Sequence, residues 1–232
     1  MIKIRKSNER GHFNHGWLDT RHSFSFGDYF DAEHMGFRTL RVINEDVIQP
    51  GQGFETHSHR DMEILTLVTE GALEHKDSLG NVSMIKPGEI QRMTAGRGVT
   101  HSEFNSSKKN PVHLLQIWIL PDRKGLQPGY EQRVLKSAGK ESRLRLIASP
   151  EGENDSVKIH QEAFVYDGIL YGNETLSYDL PAKRGAWIQV TQGALDLNHE
   201  RLEKGDGAAA EKEPKLIFLS KEGAEFLLFD LA

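Results

Sequence analysis

Three histidines and a glutamate carry the clearest chemistry in the sequence. His57 and His59 stand two apart in ETHSHRDMEI, and His101 opens HSEFN further along, with Glu103 two positions on. On an extended chain side chains alternate between faces, so His57 and His59 point the same way. Glu63 shares their parity if the strand runs on unbroken, and His101 and Glu103 share a face of their own strand. Two neighbouring strands aiming these faces inward would gather three imidazoles and one or two carboxylates around one divalent ion. Such a set suits Fe(II), Mn(II), Ni(II), Cu(II) or Zn(II), and the residues alone do not choose among them. A lone His-x-His is common on exposed strands. Here the second His-x-Glu follows a glycine-rich turn, AGRGVT, and apolar strand patterns flank both, which sets them in a β scaffold.

The rest of the chain supplies that scaffold. Its 232 residues are 37% hydrophobic and 27% charged, the balance of an ordinary globular protein able to bury a real core. Glycine turns such as QPGQG at 49–53, DSLGN at 77–81 and KPGE at 86–89 punctuate short apolar runs, including EILTLVT at 63–69 and VHLLQIWI at 112–119. Short, evenly spaced strands of this kind read as an all-β barrel or sandwich. The segments 128–135 and 149–152 are the places left for a short helix.

Several function classes fall away. The net charge of −5 is spread without a basic block, so direct nucleic-acid binding is not expected. With no cysteine, thiolate sites and disulfides are excluded, and histidines and carboxylates remain as metal ligands. The start, MIKIRKSNERGHF, lacks the apolar stretch of a secretory signal, and the apolar run LLQIWIL at 114–120 is too short to span a bilayer. A cytoplasmic protein without membrane attachment, acting as a monomer, is the expectation.

An internal repeat sets the domain organisation. VTEGALEH at 68–75 is echoed by VTQGALDL at 190–197, and each is followed by a glycine turn, KPGE at 86–89 and EKGDG at 203–207. A period this long argues for domain duplication rather than a solenoid. Two similar β-domains are expected, 1–133 and 134–232. The second lacks a His-x-His before its VTQGAL and has no histidine after the turn at 205–207, so its site is expected to be degenerate, with His160 and His199 as surface or packing residues.

The pattern G-x5-H-x-H-x3-E at 51–63 and H-x3-N at 101–105 resembles the two cupin motifs, with one extra residue before Gly71 and Gly96 where a proline is usual. Within the cupins, MGFRTLRVINEDVIQPGQGFETHSHRDMEILTLVTEGALEHKDSLGN and PGEIQRMTAGRGVTHSE resemble the pirin family from NERGHFNHGWLDTRHSFSFGDYF at 8–30 to LLQIWILP at 114–121. The match is looser beyond. The resemblance implies two tandem cupin, jelly-roll-like barrels with metal only in the N-terminal one. Its implied ligands are His57, His59, His101 and Glu103, while Glu63, the usual fourth ligand of other cupins, would face the site from behind them. Ser58 departs from the family's usual proline, which would loosen ligand placement but leaves both imidazoles available.

The resemblance further implies iron(II) as the ion, with Mn, Ni, Co, Cu or Zn as alternatives. It implies a quercetin 2,3-dioxygenase-type oxidoreductase that opens the ring of a flavonol or similar aromatic enol with O2, using Glu103 or Glu63 as the base. The alternative it implies is a non-enzymatic, redox-sensing regulator that binds a protein partner. Among other residues, Phe24, Phe26, Phe54, Phe104 and Trp118 are expected in the core, one or two bordering a pocket. His22 is a candidate for the pocket wall, and Asp19, Ser23 and Arg60 are candidates for hydrogen-bond support. His12, His15 and His34 are not expected to be ligands.

Overall fold

Aliphatic and β-branched runs between glycine turns become strands throughout. The protein, in a computed structural model that describes residues 1–135 and 143–232, shows 21 strands, one 3-10 turn at Ser7–Glu9 and no α-helix among the described residues. No helix there is long and apolar enough to cross a membrane. The segment 128–135, where the sequence leaves room for a helix, holds a strand instead, because Gly129–Val134 pairs along its length with Glu89–Thr94. The stretch 149–152 is the end of one strand followed by a bend.

Contacts divide the chain into two units that are not continuous in sequence. One comprises the described part of Gly11–Lys136 with Pro150–Gln161; the other comprises Met1–Arg10, the described part of Ser137–Ser149, and Glu162–Ala232. The expected division at 133 follows chain order, whereas in the packing the first ten residues join the C-terminal unit and 150–161 join the N-terminal one. The alternation of MIKIR explains the first exchange. Ile2 and Ile4 pack against the apolar core of the C-terminal unit as β1 (Ile2–Arg5) pairs with β19 (Gly207–Glu211).

The N-terminal unit is built from two antiparallel sheets. The larger runs β12 (Gly129–Val134), β9 (Glu89–Thr94), β6 (Glu63–Glu70), β11 (Val112–Ile119), β4 (Leu40–Ile48), β3 (Leu18–His22) and β2 (Gly11–Asn14). The smaller runs β5 (Gly53–His59), β10 (Val99–Phe104), β7 (Leu73–Asp77) and β8 (Val82–Ile85). Leu73 and Ile85 of the small sheet pack on Leu18, Ile48, Val68, Val112 and Leu114 of the large one, closing one end of the barrel. Burying such side chains stabilises by roughly 1.5–3 kcal/mol each. The unit also includes β14 (Val157–Lys158).

The C-terminal unit repeats this plan. Its main sheet runs β1, β19, β17 (Gly185–Leu197), β21 (Ala224–Leu231), β15 (Ala163–Leu170) and β13 (Leu144–Ser149). The distal half of β17 pairs with β18 (Glu200–Glu203) and β20 (Lys215–Ser220), and β20 pairs with β16 (Glu174–Asp179). Strand for strand, β17 does the work of β6 and β7, β21 that of β11, β15 that of β4, and β16 with β20 that of β5 with β10. The repeated sequence lies at the same place in both. Gly71 (φ +81°) lets the chain pass from β6 to β7, and Gly193 (φ +68°) bends β17 at the equivalent point. A Cβ would stand 2.8 Å from the Pro111 carbonyl at the first and 2.2 Å from the Gly223 carbonyl at the second, so both positions require glycine.

Candidate metal centre

The register of two strands brings the three histidines together. His101 on β10 is paired directly with His57 on β5, and His59 follows on the same face of β5. The ring centroids lie 4.5 Å apart for His57 and His101, 4.7 Å for His57 and His59, and 4.8 Å for His59 and His101. Across the gap His101 Nε2 sits 3.0 Å from His57 Nε2, and each of the three rings offers a nitrogen within 4.8 Å of the others. His57 Nδ1 donates to the Glu55 carbonyl at 2.8 Å, which leaves its Nε2 lone pair for the cluster. Burial lowers the pKa of His101 to about 2, helped by the neighbouring imidazoles, and burial with His57 nearby lowers that of His59 to about 4. The rings of His59 and His101 are therefore neutral at physiological pH, the form that ligates metal.

Glu103 adds a carboxylate. It follows a register shift that falls between His101 and Glu103 on the β5 side, while the β7 side stays regular and sets Glu103 opposite His75. Gln116 Nε2 on β11 donates to both carboxylate oxygens, at 2.9 and 2.7 Å. Burial raises the pKa of Glu103 to about 8 with Asp46 adding to the rise, against the opposing pull of the Gln116 hydrogen bond. Its carboxylate groups within 4.8 Å of nitrogens of His101 and His75. Three imidazoles facing one point with a buried carboxylate beside them fit a divalent transition ion.

Glu63 stands elsewhere. The parity that joined it to His57 and His59 assumed one unbroken strand, but Asp61 takes the left-handed region (φ +50°) and the turn passes the chain from the small sheet into the large one. At the head of β6, the buried Glu63 carboxylate accepts from Thr94 Oγ1 at 3.0 Å and lies 3.4 Å from His160 Nδ1. Burial raises its pKa to about 7 despite the Thr94 hydrogen bond. It lines no part of the cavity over the histidines and belongs to neither group of metal-ligating side chains found among the described residues.

That cavity has a volume of about 540 Å³. Its walls are aromatic. Trp118 meets His59 edge-on at 4.9 Å and Phe26 at 5.2 Å, while Trp17 and Phe54 meet at 5.3 Å on the other side. Polar groups reach it from inside the large sheet. His22 Nδ1 lies 2.7 Å from Asn44 Oδ1, and Thr20 donates to the buried Asp46. Size and lining are those of a site for a small, largely apolar ligand held by a few fixed polar atoms.

Comparison with known proteins agrees with this geometry. The family described as Pirin matches residues 3–119, and the family described as Quercetinase C-terminal cupin domain matches residues 146–231. The quercetin 2,3-dioxygenase of Escherichia coli strain K12 is 47% identical over 232 residues, covering 100% of this chain and 99% of the relative. The chain belongs to the pirin family. A pirin-like protein of Caulobacter vibrioides is 34% identical over the whole of both chains. The crystal structure of YhhW from Escherichia coli superposes with a TM-score of 0.97 at 46% identity, covering 100% of this chain and 98% of that one. The bacterial pirin YhhW in complex with nickel(II), also from Escherichia coli, superposes with a TM-score of 0.95 at 47% identity, covering 100% and 99%.

Other residues of this pirin-family chain divide between expected and missed. His22 lines the cavity as anticipated, and His15 joins it; Phe26, Phe54 and Trp118, expected in the core with one or two at a pocket, are half-buried and all three line the cavity, and Phe104 is half-buried as well. Phe24 is a core residue. Asp19 is engaged by His12, Asn14 and Arg21, and Arg60 is exposed beside Asp61, so neither supports the histidines. Ser23 donates its backbone N–H to Ile43. His160, expected to be isolated, faces the buried Glu63. Sequence reasoning missed Gln116, Asn44, Asp46, His75 and Asp77. The signal for Gln116 was its place in the middle of LLQIWIL, where an amide on the inward face needs a partner.

Proposed function

We propose that this chain holds one divalent transition ion through His57, His59, His101 and Glu103 and opens the ring of quercetin-like flavonols with O2. The observation that carries the reading is the convergence of three imidazoles and a buried carboxylate on an aromatic-walled cavity of about 540 Å³. Relatives named quercetin 2,3-dioxygenase support the reaction type. Iron(II) is our preferred ion, with nickel next because a bacterial pirin structure contains it.

When bound, the ion would supply Lewis-acid polarisation of the substrate's enol oxygen and a place for dioxygen beside it. The chain does the rest. Trp118, Phe26, Phe54 and Trp17 grip the planar rings and keep water from the reacting carbons. Asn44 and Asp46 offer acceptors to peripheral hydroxyls. A Glu103 carboxylate oxygen takes the proton of the flavonol 3-hydroxyl, with Gln116 holding the group in place. Of the two glutamates considered as base, only Glu103 lines the cavity.

We assign the metal to the N-terminal barrel alone. In the C-terminal unit the strands equivalent to β5 and β10 carry Leu176, Leu216 and Phe218 into an apolar core. The direct test is anaerobic loading with Fe, Mn, Ni, Co or Cu, followed by quercetin and O2. Carbon monoxide and the depside product are expected; their absence with every ion would refute the reading.

A further inference from the structure

Behind His101, on the side away from the cavity, lies a polar group that the proposed reaction does not use. β7 pairs with β10 so that His75 stands opposite Glu103 and Asp77 opposite His101. The side chains of His75 and Asp77 are both 0% exposed, so their hydrogen bonds must be made with protein. His75 Nε2 lies 3.2 Å from Asp77 Oδ2, and His75 Nδ1 lies 3.5 Å from His101 Nδ1. Gln91 Nε2 lies 3.3 Å from the same His75 Nδ1. Asp77 is itself fixed by the backbone N–H groups of Leu79 and Asn81, at 2.9 and 3.0 Å, and by the Asn81 amide at 2.9 Å.

With the His101 Nε2 lone pair kept for the ion rather than protonated toward His57, these contacts admit one placement of hydrogens. An ionised Asp77 only accepts, so the single hydrogen of a neutral His75 sits on Nε2 and points at it. His75 Nδ1 is then bare and accepts from the Gln91 amide. Facing that bare nitrogen, His101 Nδ1 carries its own hydrogen, which leaves His101 Nε2 unprotonated and aimed at His57 Nε2 across 3.0 Å. We propose that Asp77 and His75 form a hydrogen-bond relay that fixes the Nδ1–H tautomer of His101 and strengthens its Nε2 as a donor to the ion. Both are positioning residues. The inference rests on His101 being a ligand, and adds to it the two residues that make it a good one. A carboxylate or carbonyl behind a ligating imidazole is the common arrangement; here a second imidazole is interposed, because β7 brings His75 rather than Asp77 to His101 Nδ1.

The test uses the full-length protein and two readouts other than turnover. In zinc-loaded protein, long-range proton–nitrogen NMR should show His75 with hydrogen on Nε2 and His101 with hydrogen on Nδ1. Nickel(II) affinity, measured by chelator competition on metal-free protein, should fall about tenfold to a hundredfold in His75→Leu. His75→Gln, whose side-chain oxygen can still accept from His101, should recover most of that loss. Asp77→Asn, which can still accept from Leu79 and Asn81, should release the tautomer of His75. Wild-type affinity in His75→Leu, or hydrogen on Nε2 of His75's partner His101, would overturn the relay. If His75→Leu does not fold, the wild-type tautomers and the Asp77→Asn affinity decide in its place. His101→Ala separates the two levels of the argument. Retained nickel would remove His101 from the ligand set, whereas lost nickel with an unaffected His75→Leu would sink the relay alone.

Discussion

Replacing Glu103 by glutamine should make the metal-free protein more stable while weakening its hold on metal. Burial raises the folded pKa of Glu103 from an ordinary 4.5 to about 8. A carboxyl raised in this way costs nothing below pH 4.5, where it is protonated in both states. As pH climbs from 4.5 toward 8 the unfolded chain ionises and the folded one does not, so stability falls by ~1.4 kcal/mol per pH unit; above about 8 the loss is complete. At pH 7 the cost is about 3 kcal/mol. Glutamine keeps an oxygen for the Gln116 amide and removes the titration. For a chain of this length each kcal/mol moves Tm by roughly 2–4 °C, so Glu103→Gln should melt roughly 6–12 °C higher near neutral pH. The assay is thermal unfolding of chelator-treated protein at intervals between pH 5 and pH 9, wild type against variant. Glu63 titrates in both proteins, so the difference between the two curves isolates Glu103. That difference should grow with pH and then level off. An equal or lower Tm for the variant, or a difference flat in pH, would refute the assignment of a buried, reluctant acid. Metal binding must displace the same proton, so nickel affinity of the wild type should rise with pH over this range and that of the variant should be weaker throughout.

His57→Ala, His59→Ala and His101→Ala should each lose stoichiometric metal, measured by elemental analysis after nickel loading, with folding retained by circular dichroism. Glu63→Gln should leave metal content and quercetin kcat/KM near wild type, because Glu63 faces Thr94 and His160 rather than the cavity. Its folded pKa is raised to about 7, so this variant should gain stability over wild type as pH rises from 4.5 through 7, read by thermal unfolding. Trp118→Leu should raise KM for quercetin about tenfold, the equivalent of ~1.4 kcal/mol of ring contact, with metal content unchanged by elemental analysis. Gly71→Ala should lose about 1–3 kcal/mol in denaturant unfolding, since its φ of +81° and the Pro111 carbonyl both oppose a Cβ.

How far the site was legible depended on whether the chain stayed extended. For His57, His59 and His101 the period of two was enough, because β5 and β10 pair with His57 and His101 in register. The same rule misplaced Glu63. Asp tolerates the left-handed region that Asp61 adopts, and nothing in RDM announces that the strand ends there and another sheet begins. The resemblance to pirins chose Glu103 over Glu63, where parity alone allowed both. His75 and Asp77 escaped notice for another reason. In LEHKD they read as the polar face of a hairpin strand, and only the pairing of β7 with β10 turns that face inward against His101. The exchange of the first ten residues was hidden likewise. Ile2 and Ile4 alternate as a strand should, but a pattern of four residues does not say which sheet it joins.

The duplicated halves show what a site demands of a barrel. At equivalent places the N-terminal barrel has His57, His101 and Glu103, and the C-terminal unit has Tyr178 packed against its core and Leu216 and Phe218 within it, where Phe218 also stacks on Phe226 at 4.7 Å. Each buried aromatic or leucine in the second contributes roughly 1.5–3 kcal/mol. The first forgoes that contribution and adds buried polar groups, Glu103, Asp46, His75 and Asp77, whose burial is offset by hydrogen bonds such as those from Gln116, Thr20, Gln91 and Asn81. A polar interior of this kind is unfavourable unless something binds there that needs it. The repeat makes the comparison internal: the same strand plan closes with an apolar filling in the C-terminal unit. The polar lining of the N-terminal barrel is therefore an argument for a charged ligand in its own right, independent of resemblance to any other protein.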